Sequence, residues 1–108
     1  MKPVFFVYIL SSLSGTLYVG VTDDLPLRLS QHSNGTYDGF TKKYGVYRLM
    51  YYETFNEPYA AAAREKQIKK FSRQKKTALF VKSNPQWKDL GKDLYSTRRK
   101  QGLKLAAS

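Results

Sequence analysis

The sequence has no cysteine and only one histidine, and both features limit the chemistry available to the chain. Without cysteine, the 108 residues form no disulfide among themselves, and thiolate zinc sites such as zinc fingers are excluded. A single histidine cannot build a multi-histidine metal centre. Any site chemistry must therefore come mainly from carboxylates, hydroxyl groups and cationic side chains.

Long hydrophobic runs are also missing. The apolar run from Val4 to Leu10 is far too short to span a bilayer, and no small-residue cleavage site follows it. We therefore expect a cytoplasmic protein with no membrane partner. The length suits one domain and is too short for two.

Acidic residues are scarce, at 8 against 19 lysines and arginines, for a net charge of +11. Residues 1–63 hold five bases and five acids, whereas residues 64–108 hold fourteen bases and three acids, a net +11. A polyanionic partner is the natural interpretation, since lysine and arginine release counterions when they meet phosphates. A solvated basic face and an anionic membrane are the alternatives, but no amphipathic apolar stripe accompanies the charges.

The hydrophobic pattern predicts three strands, at residues 4–10, 17–21 and 46–53. A turn at residues 11–16 joins the first two strands as an antiparallel hairpin. Residues 22–24 supply candidate N-caps for a helix that ends at Asn34-Gly35, and a polar loop containing Gly39 follows.

Two further helices are predicted after the third strand. One opens at Glu57-Pro58, and the next runs from a Ser72 cap to about Lys82, before Asn84-Pro85. The order β-β-α-β-α-α predicts an α+β domain with a small three-stranded antiparallel sheet flanked by helices. We expect residues 1–91 to form the domain and residues 92–108 a basic, flexible tail.

Two tripeptides make the pattern more specific. Phe6-Val7-Tyr8, followed ten residues later by Tyr18-Val19-Gly20, resembles the paired motifs of the GIY-YIG nuclease family. The spacing of Arg28, His32 and Glu65 and the closure at Asn84-Pro85 resemble its small single-domain branch, over about residues 4–90. Two positions depart from the family pattern: Phe6 stands where glycine gives the family its name, and Val21 stands where some relatives carry lysine.

The resemblance implies a metal-dependent endonuclease that hydrolyses phosphodiester bonds in DNA. Glu65 would hold one Mg²⁺ or Mn²⁺ ion, with waters and the scissile phosphate completing its coordination. Arg28 would stabilise the phosphoryl oxygens, Tyr8 and Tyr18 would orient or deprotonate the attacking water, and His32 is the alternative base. Ordinary roles stay open as well: Glu65 as an i,i+4 partner of Lys69, the tyrosines as packing, Arg28 on the surface and His32 as a cap.

The basic residues around this constellation are candidates for nucleic-acid contacts that position the substrate. Together with an asparagine they are Lys42, Lys43, Lys69, Lys70, Arg73, Lys75, Lys76 and Asn84. Asn84 is equally explained by an Asn-Pro turn. Trp87 and Tyr37 would either stack on unpaired bases or pack in the core, and packing is favoured.

DNA is the expected partner, with RNA as the alternative, and the chain is expected to be a monomer. A protein partner that supplies substrate specificity is a further expectation, because small members of the family that the chain resembles often lack the recognition domain of larger relatives. Two rival functions remain: a non-catalytic nucleic-acid-binding module on the same scaffold, and an interaction protein whose basic tail docks on an acidic partner.

Overall fold

A computed structural model describes residues 3–35 and 39–92 of the chain. Its centre is a three-stranded antiparallel sheet in the order β2-β1-β3. The strands are β1 (Phe5–Ser11), β2 (Leu17–Thr22) and β3 (Arg48–Phe55). The sheet and its flanking helices confirm the predicted α+β class.

Four helices flank the sheet: α1 (Leu25–Ser33), α2 (Gly39–Tyr44), α3 (Pro58–Lys69) and α4 (Arg73–Ala78). Helix α1 begins where the Asp24 side chain accepts a hydrogen bond from the Leu27 amide (3.1 Å), and it ends before Gly35, whose φ of +71° suits glycine. Ser72 caps α4 in the same way, accepting from the Lys75 amide at 3.1 Å.

The structure corrects two details of the predicted elements. The segment expected to be a polar loop contains α2, which is anchored by the buried Thr41 and by a 2.9 Å hydrogen bond from the Val46 amide to the Thr41 carbonyl. The last predicted helix stops at Ala78 instead of Lys82, and the chain continues in turns that bury Phe80. Both differences arise from tertiary contacts that outweigh local propensity.

Side chains alternate across the sheet and form one apolar layer on each face. On the α3 face, Val7 and Ile9 pack with residues that include Ile68 and Phe80. On the α1 face, Tyr8 packs with residues that include Leu25, Leu29 and Leu49. The central strand β1 therefore contributes to both layers.

Trp87 packs edge-on against Phe80, with ring centroids 5.0 Å apart, which confirms the packing role preferred for it. Among the helices of residues 3–35 and 39–92, none combines the length and apolar character needed to cross a membrane. Tyr37 and residues 93–108 lie outside the described residues.

Candidate active site

The β1–β2 hairpin brings Tyr8 and Tyr18 to the same face of the sheet. Tyr18 pairs with Leu10 across the two strands, and Tyr8 pairs with Gly20. Because Leu10 is two residues from Tyr8 on β1, and paired residues share a face, the side chains of Tyr8 and Tyr18 point the same way. The two ring centroids are 6.4 Å apart. Tyr8 is fully buried, whereas Tyr18 is partly exposed.

Gly20 gives the Tyr8 ring the space it occupies. A Cβ atom at Gly20 would lie 2.4 Å from the Tyr8 hydroxyl oxygen and 2.5 Å from Cζ, closer than real contacts allow. The glycine of the second tripeptide therefore has a steric reason. Sequence reasoning did not find it, because the ring crosses from a neighbouring strand.

Helix α1 places His32 against both tyrosines. Its Nε2 lies 2.9 Å from the Tyr8 hydroxyl, and its ring centroid lies 5.1 Å from that of Tyr18. His32 is only 1% exposed, so it is buried like Tyr8, whereas Tyr18 reaches the surface.

Thr41 is a member of this group that sequence reasoning missed. Its Oγ1 lies 3.1 Å from His32 Nδ1, and the residue is 1% exposed. Both ring nitrogens of His32 therefore face a hydroxyl group, which fixes the plane of the imidazole. No periodicity marked Thr41 in the sequence, because it lies in the segment interpreted as a loop.

Arg28 lies one helical turn before His32 on α1 and is half-buried. Residues four apart lie on the same face of a helix, so Arg28 follows the same side of α1 as His32. The spacing seen in the sequence thus corresponds to a shared helix face.

Glu65 comes from a helix of the other layer. It lies on α3, whose buried residues Ala61 and Ile68 belong to the layer on the opposite face of the sheet. Its Oε1 lies 3.1 Å from Lys69 Nζ, so the i,i+4 pair named as the ordinary alternative is present. Among residues 3–35 and 39–92, that ion pair is the only one Glu65 forms.

The carboxylates limit which metal the protein could hold. Within the described part of the chain, no three histidine or acidic side chains come together as a metal cluster. A single carboxylate fits an ion such as Mg²⁺, which keeps much of its water and binds through one or two carboxylates plus substrate phosphate. Glu65 meets that requirement, since its side chain is 17% exposed and its partner Lys69 is 53% exposed.

Glu53 is a carboxylate on strand β3, and both of its oxygens are engaged. Its two oxygens accept hydrogen bonds from Arg64 Nε and Nη2, each at 2.9 Å, and from the Tyr51 hydroxyl. The Arg64 hydrogen bonds hold the pKa of Glu53 below its ordinary value. Burial, followed by the hydrogen bond to Glu53, raises the pKa of Tyr51 to about 12. The cluster of Glu53, Arg64 and Tyr51 joins β3 to α3, and the Glu53 carboxylate is therefore not free to bind a metal ion.

Most of the predicted phosphate-contacting cations lie on the surface. The exposed ones are Lys42, Lys43, Lys69, Lys70, Arg73 and Lys75, and Lys76 is half-buried. Arg73 also has a structural contact, because its Nη1 donates to the Gly15 carbonyl (2.6 Å) in the β1–β2 turn. Sequence reasoning did not anticipate this contact across 58 positions of the chain.

Asn84 has a structural contact of its own. It is 5% exposed, and its side chain accepts from the Lys88 amide and donates to the Lys88 carbonyl, both at 2.9 Å. This geometry favours the turn alternative that the sequence left open for Asn84. Its predicted contact with nucleic acid stays a prediction.

Comparison with known families places the chain in a class. The GIY-YIG catalytic domain matches residues 4–78, which is more than half of the chain. The chain therefore belongs to the GIY-YIG family.

Within that family, the chain is similar to small proteins named UPF0213. It is 39% identical over 75 residues to a UPF0213 protein of Staphylococcus saprophyticus, covering 69% of this chain and 92% of the relative. A UPF0213 protein of Clostridium perfringens is 37% identical over 75 residues, with 69% and 81% coverage. The solution NMR structure of a UPF0213 protein from Bacillus halodurans superposes with a TM-score of 0.51 at 29% identity, covering 80% of this chain and 92% of that one.

Proposed function

We propose that the protein is a metal-dependent endonuclease that hydrolyses phosphodiester bonds in DNA, selecting its substrate by strand structure. The observation that carries the proposal is the contact of Tyr8, Tyr18 and His32 on one face of the sheet. The GIY-YIG membership and the net charge of +11 support it. The second candidate is a non-catalytic DNA-binding module on the same scaffold.

The different exposure of Tyr8, Tyr18 and His32 suggests a different role for each in the proposed reaction. Tyr18 is partly exposed, so its hydroxyl is the one we assign to the attacking water. His32 and Tyr8 are both too deeply buried to meet a water from solvent directly, so we assign this hydrogen-bonded pair the role of holding the face of the site on which Tyr18 lies. The alternative in which His32 is itself the general base stays a prediction.

A defined tautomer of His32 would suit that role. If Nδ1 carries the proton and donates to Thr41 Oγ1, Nε2 is left to accept the Tyr8 hydroxyl proton. The Tyr8 hydroxyl would then keep one orientation, set by the imidazole that accepts its proton in a hydrogen bond. Thr41 is then a positioning residue for His32.

Two charged residues complete the proposed site. Arg28 would place its planar guanidinium against the non-bridging phosphate oxygens, a geometry that a lysine cannot reproduce. Glu65 would exchange its ion pair with Lys69 for one Mg²⁺ or Mn²⁺ ion. When bound, such an ion supplies charge neutralisation at the phosphoryl oxygens.

The test is cleavage of single-stranded, duplex, flap and branched DNA, with Mg²⁺, Mn²⁺ or a chelator present. Glu65→Gln should abolish cleavage and leave binding largely intact, because affinity comes mainly from the lysines and arginines. Glu57→Gln is the matched control, since Glu57 is an exposed carboxylate on the N-cap of the same helix, where it makes no cap hydrogen bond. It should cut at the wild-type rate.

Two outcomes would contradict parts of the proposal. A wild-type protein that binds DNA and cuts none of these substrates with either metal would be the non-catalytic module. Cleavage by Glu65→Gln at the wild-type rate in saturating Mg²⁺ would remove Glu65 as the metal ligand and leave the tyrosine–histidine cluster to be tested separately. For that test, Tyr18→Phe removes only a hydroxyl, and Tyr59→Phe, on an 83% exposed residue, is its control.

A further inference from the structure

Helix α2 reverses the usual arrangement of a surface helix. Such helices normally turn apolar residues to the core and polar residues to water. In α2, the polar Thr41 is 1% exposed, while Phe40 is 43% and Tyr44 is 46% exposed. Single exposed apolar residues are common, whereas exposed rings that adjoin one another are a candidate binding surface.

The exposed rings lie next to the candidate active site. Phe40 and Tyr44 are four residues apart on α2, and their ring centroids are 4.7 Å apart. Phe40 also lies 6.1 Å from Tyr18, at an interplanar angle of 32°. Tyr18, Phe40 and Tyr44 therefore form a continuous aromatic row that leads from the partly exposed tyrosine of the site along the surface.

Two cations accompany the row. Lys42 and Lys43 are both exposed on α2, and Lys43 Nζ lies 5.4 Å from the centroid of the Tyr44 ring. Aromatic rings beside lysines are the composition with which proteins bind single-stranded nucleic acid, the rings stacking on bases and the cations meeting phosphates. Bases in a duplex are already stacked on their neighbours and reach such a ring only after unstacking.

We infer that Phe40 and Tyr44 form a stacking subsite for an unpaired base of single-stranded DNA, with Lys42 and Lys43 on the adjoining phosphates. The inference rests on the proposed nuclease function and names the kind of strand on which it acts. The subsite would hold an unpaired nucleotide beside Tyr18 and so present the neighbouring backbone to the candidate site.

A second copy of the chain is a weaker occupant for this surface. Association through α2 would bring Lys42 and Lys43 of two molecules together, in a protein that already carries a net charge of +11. The same lysines favour a phosphate backbone, which supplies the opposite charge.

The experiment measures binding in the presence of a chelator, by fluorescence anisotropy. The probes are a short labelled single strand, a strand of equal length in which abasic sites replace the bases, and a blunt duplex. Phe40→Ala should weaken binding of the intact single strand by about 5-fold to 10-fold, near the lower end of what one base stacked on an aromatic side chain contributes. Binding of the abasic strand and of the duplex should change little, because neither offers an unpaired base to the ring.

Three further variants make the result specific to a stacking surface. Tyr44→Ala should show the same selective loss as Phe40→Ala. Phe40→Trp should retain or improve binding of the intact strand, because it offers a larger ring. Tyr59→Ala is the matched control, since this tyrosine is 83% exposed on α3, and it should leave all three affinities unchanged.

Equal losses on the intact and abasic strands would overturn the inference, and so would no loss on either. Sedimentation of the wild-type protein as a dimer that Phe40→Ala dissociates would show that the row binds a second copy, which also overturns it. Because the assay needs neither metal nor cleavage, it gives its answer even if the protein proves to have no nuclease activity. If the wild-type protein cleaves DNA and Phe40→Ala leaves DNA binding unchanged, the stacking subsite is refuted and the proposed nuclease function is not.

Discussion

The substitution Gly20→Ala adds one methyl group at the centre of the candidate site. The new Cβ would lie 2.4 Å from the Tyr8 hydroxyl oxygen, 2.5 Å from Cζ and 3.0 Å from Cε1. The Tyr8 ring cannot easily give way, because it is fully buried on the central strand and packs in the layer that contains Leu25 and Leu49. The ring or strand β2 must therefore shift.

The size of the effect follows from two costs. Overpacking a well-filled core costs about 1–3 kcal/mol. A shifted ring also loses its 2.9 Å contact with His32, and a buried polar atom left without a partner costs about 1–3 kcal/mol. Since both costs arise from one displacement, they are not additive, and we expect a total of about 2–4 kcal/mol. For a domain of this size that lowers Tm by roughly 10–25 °C.

Urea unfolding and thermal melts followed by circular dichroism measure the change in stability. Cleavage is then compared at a temperature at which both proteins are folded. Gly39→Ala is the matched control, because no atom of residues 3–35 and 39–92 is found within 4 Å of the added methyl group there. It should leave stability unchanged or raise it by about 0.4–1 kcal/mol through the unfolded state.

Wild-type stability of Gly20→Ala would refute the packing argument, since the distances allow no room for the methyl group. A destabilised variant that still cleaves at the wild-type rate when folded would refute the role of the Tyr8–His32 contact in the chemistry. The two measurements thus test the fold and the mechanism separately.

Four other predictions follow from particular contacts. Arg64 lowers the pKa of Glu53 in the folded protein, so this pair stabilises the fold fully above the ordinary carboxyl pKa, and the stabilisation is lost as the pH falls through the lowered pKa. The urea midpoint of Glu53→Gln should therefore decline less on acidification than that of the wild type, and parallel declines would contradict this. The pKa of Tyr51 is raised from 10.0 to about 12, so the neutral Tyr51 stabilises the fold fully below pH 10.0 and this stabilisation is lost towards pH 12. Tyr51→Phe should therefore reduce the fall in stability at alkaline pH, and an unchanged fall would contradict the prediction. Arg73→Ala should cost about 0.5–1.5 kcal/mol and speed amide exchange in the β1–β2 turn, whereas unchanged exchange would mean that the contact does not hold the turn. Truncation after Gly91 should keep the cleavage rate at saturating substrate and weaken DNA binding. The plot of log affinity against log salt concentration should become shallower by about 0.7–0.9 for each lost phosphate contact, and an unchanged slope would show that the tail does not touch DNA.

The elements that could be predicted from the sequence are those whose causes are local. The hairpin, the Asp24 and Ser72 caps and the glycine after α1 all depend on residues within a few positions of one another. Helix α2 could not be predicted in this way. It has only six residues, and it depends on the Thr41 contact with His32, nine positions away, and on the hydrogen bond from Val46.

The candidate site divides along the same line. Alternation in the hairpin accounts for Tyr8 and Tyr18 pointing to one face, and the four-residue spacing accounts for the shared helix face of Arg28 and His32. The depth of His32 could not be predicted, because it depends on how α1 packs against the sheet. The place of Glu65 could not be predicted either, since helical spacing gives no information on which face of the sheet α3 covers.

The two faces of β1 separate stability from the proposed chemistry. Val7 and Ile9 turn to the α3 layer, which also holds the Glu53–Arg64 pair, whereas Tyr8 turns to α1 and His32. Glu65 belongs to a helix of the first layer, whereas Tyr18 turns to the second. In the sheet of the described residues, β2 is an edge strand paired with β1, and it carries Tyr18 and Gly20. The strand that carries Tyr18 is thus also the strand whose Gly20 makes room for the Tyr8 ring, and for this reason the packing at Gly20 bears on the proposed chemistry as well as on stability.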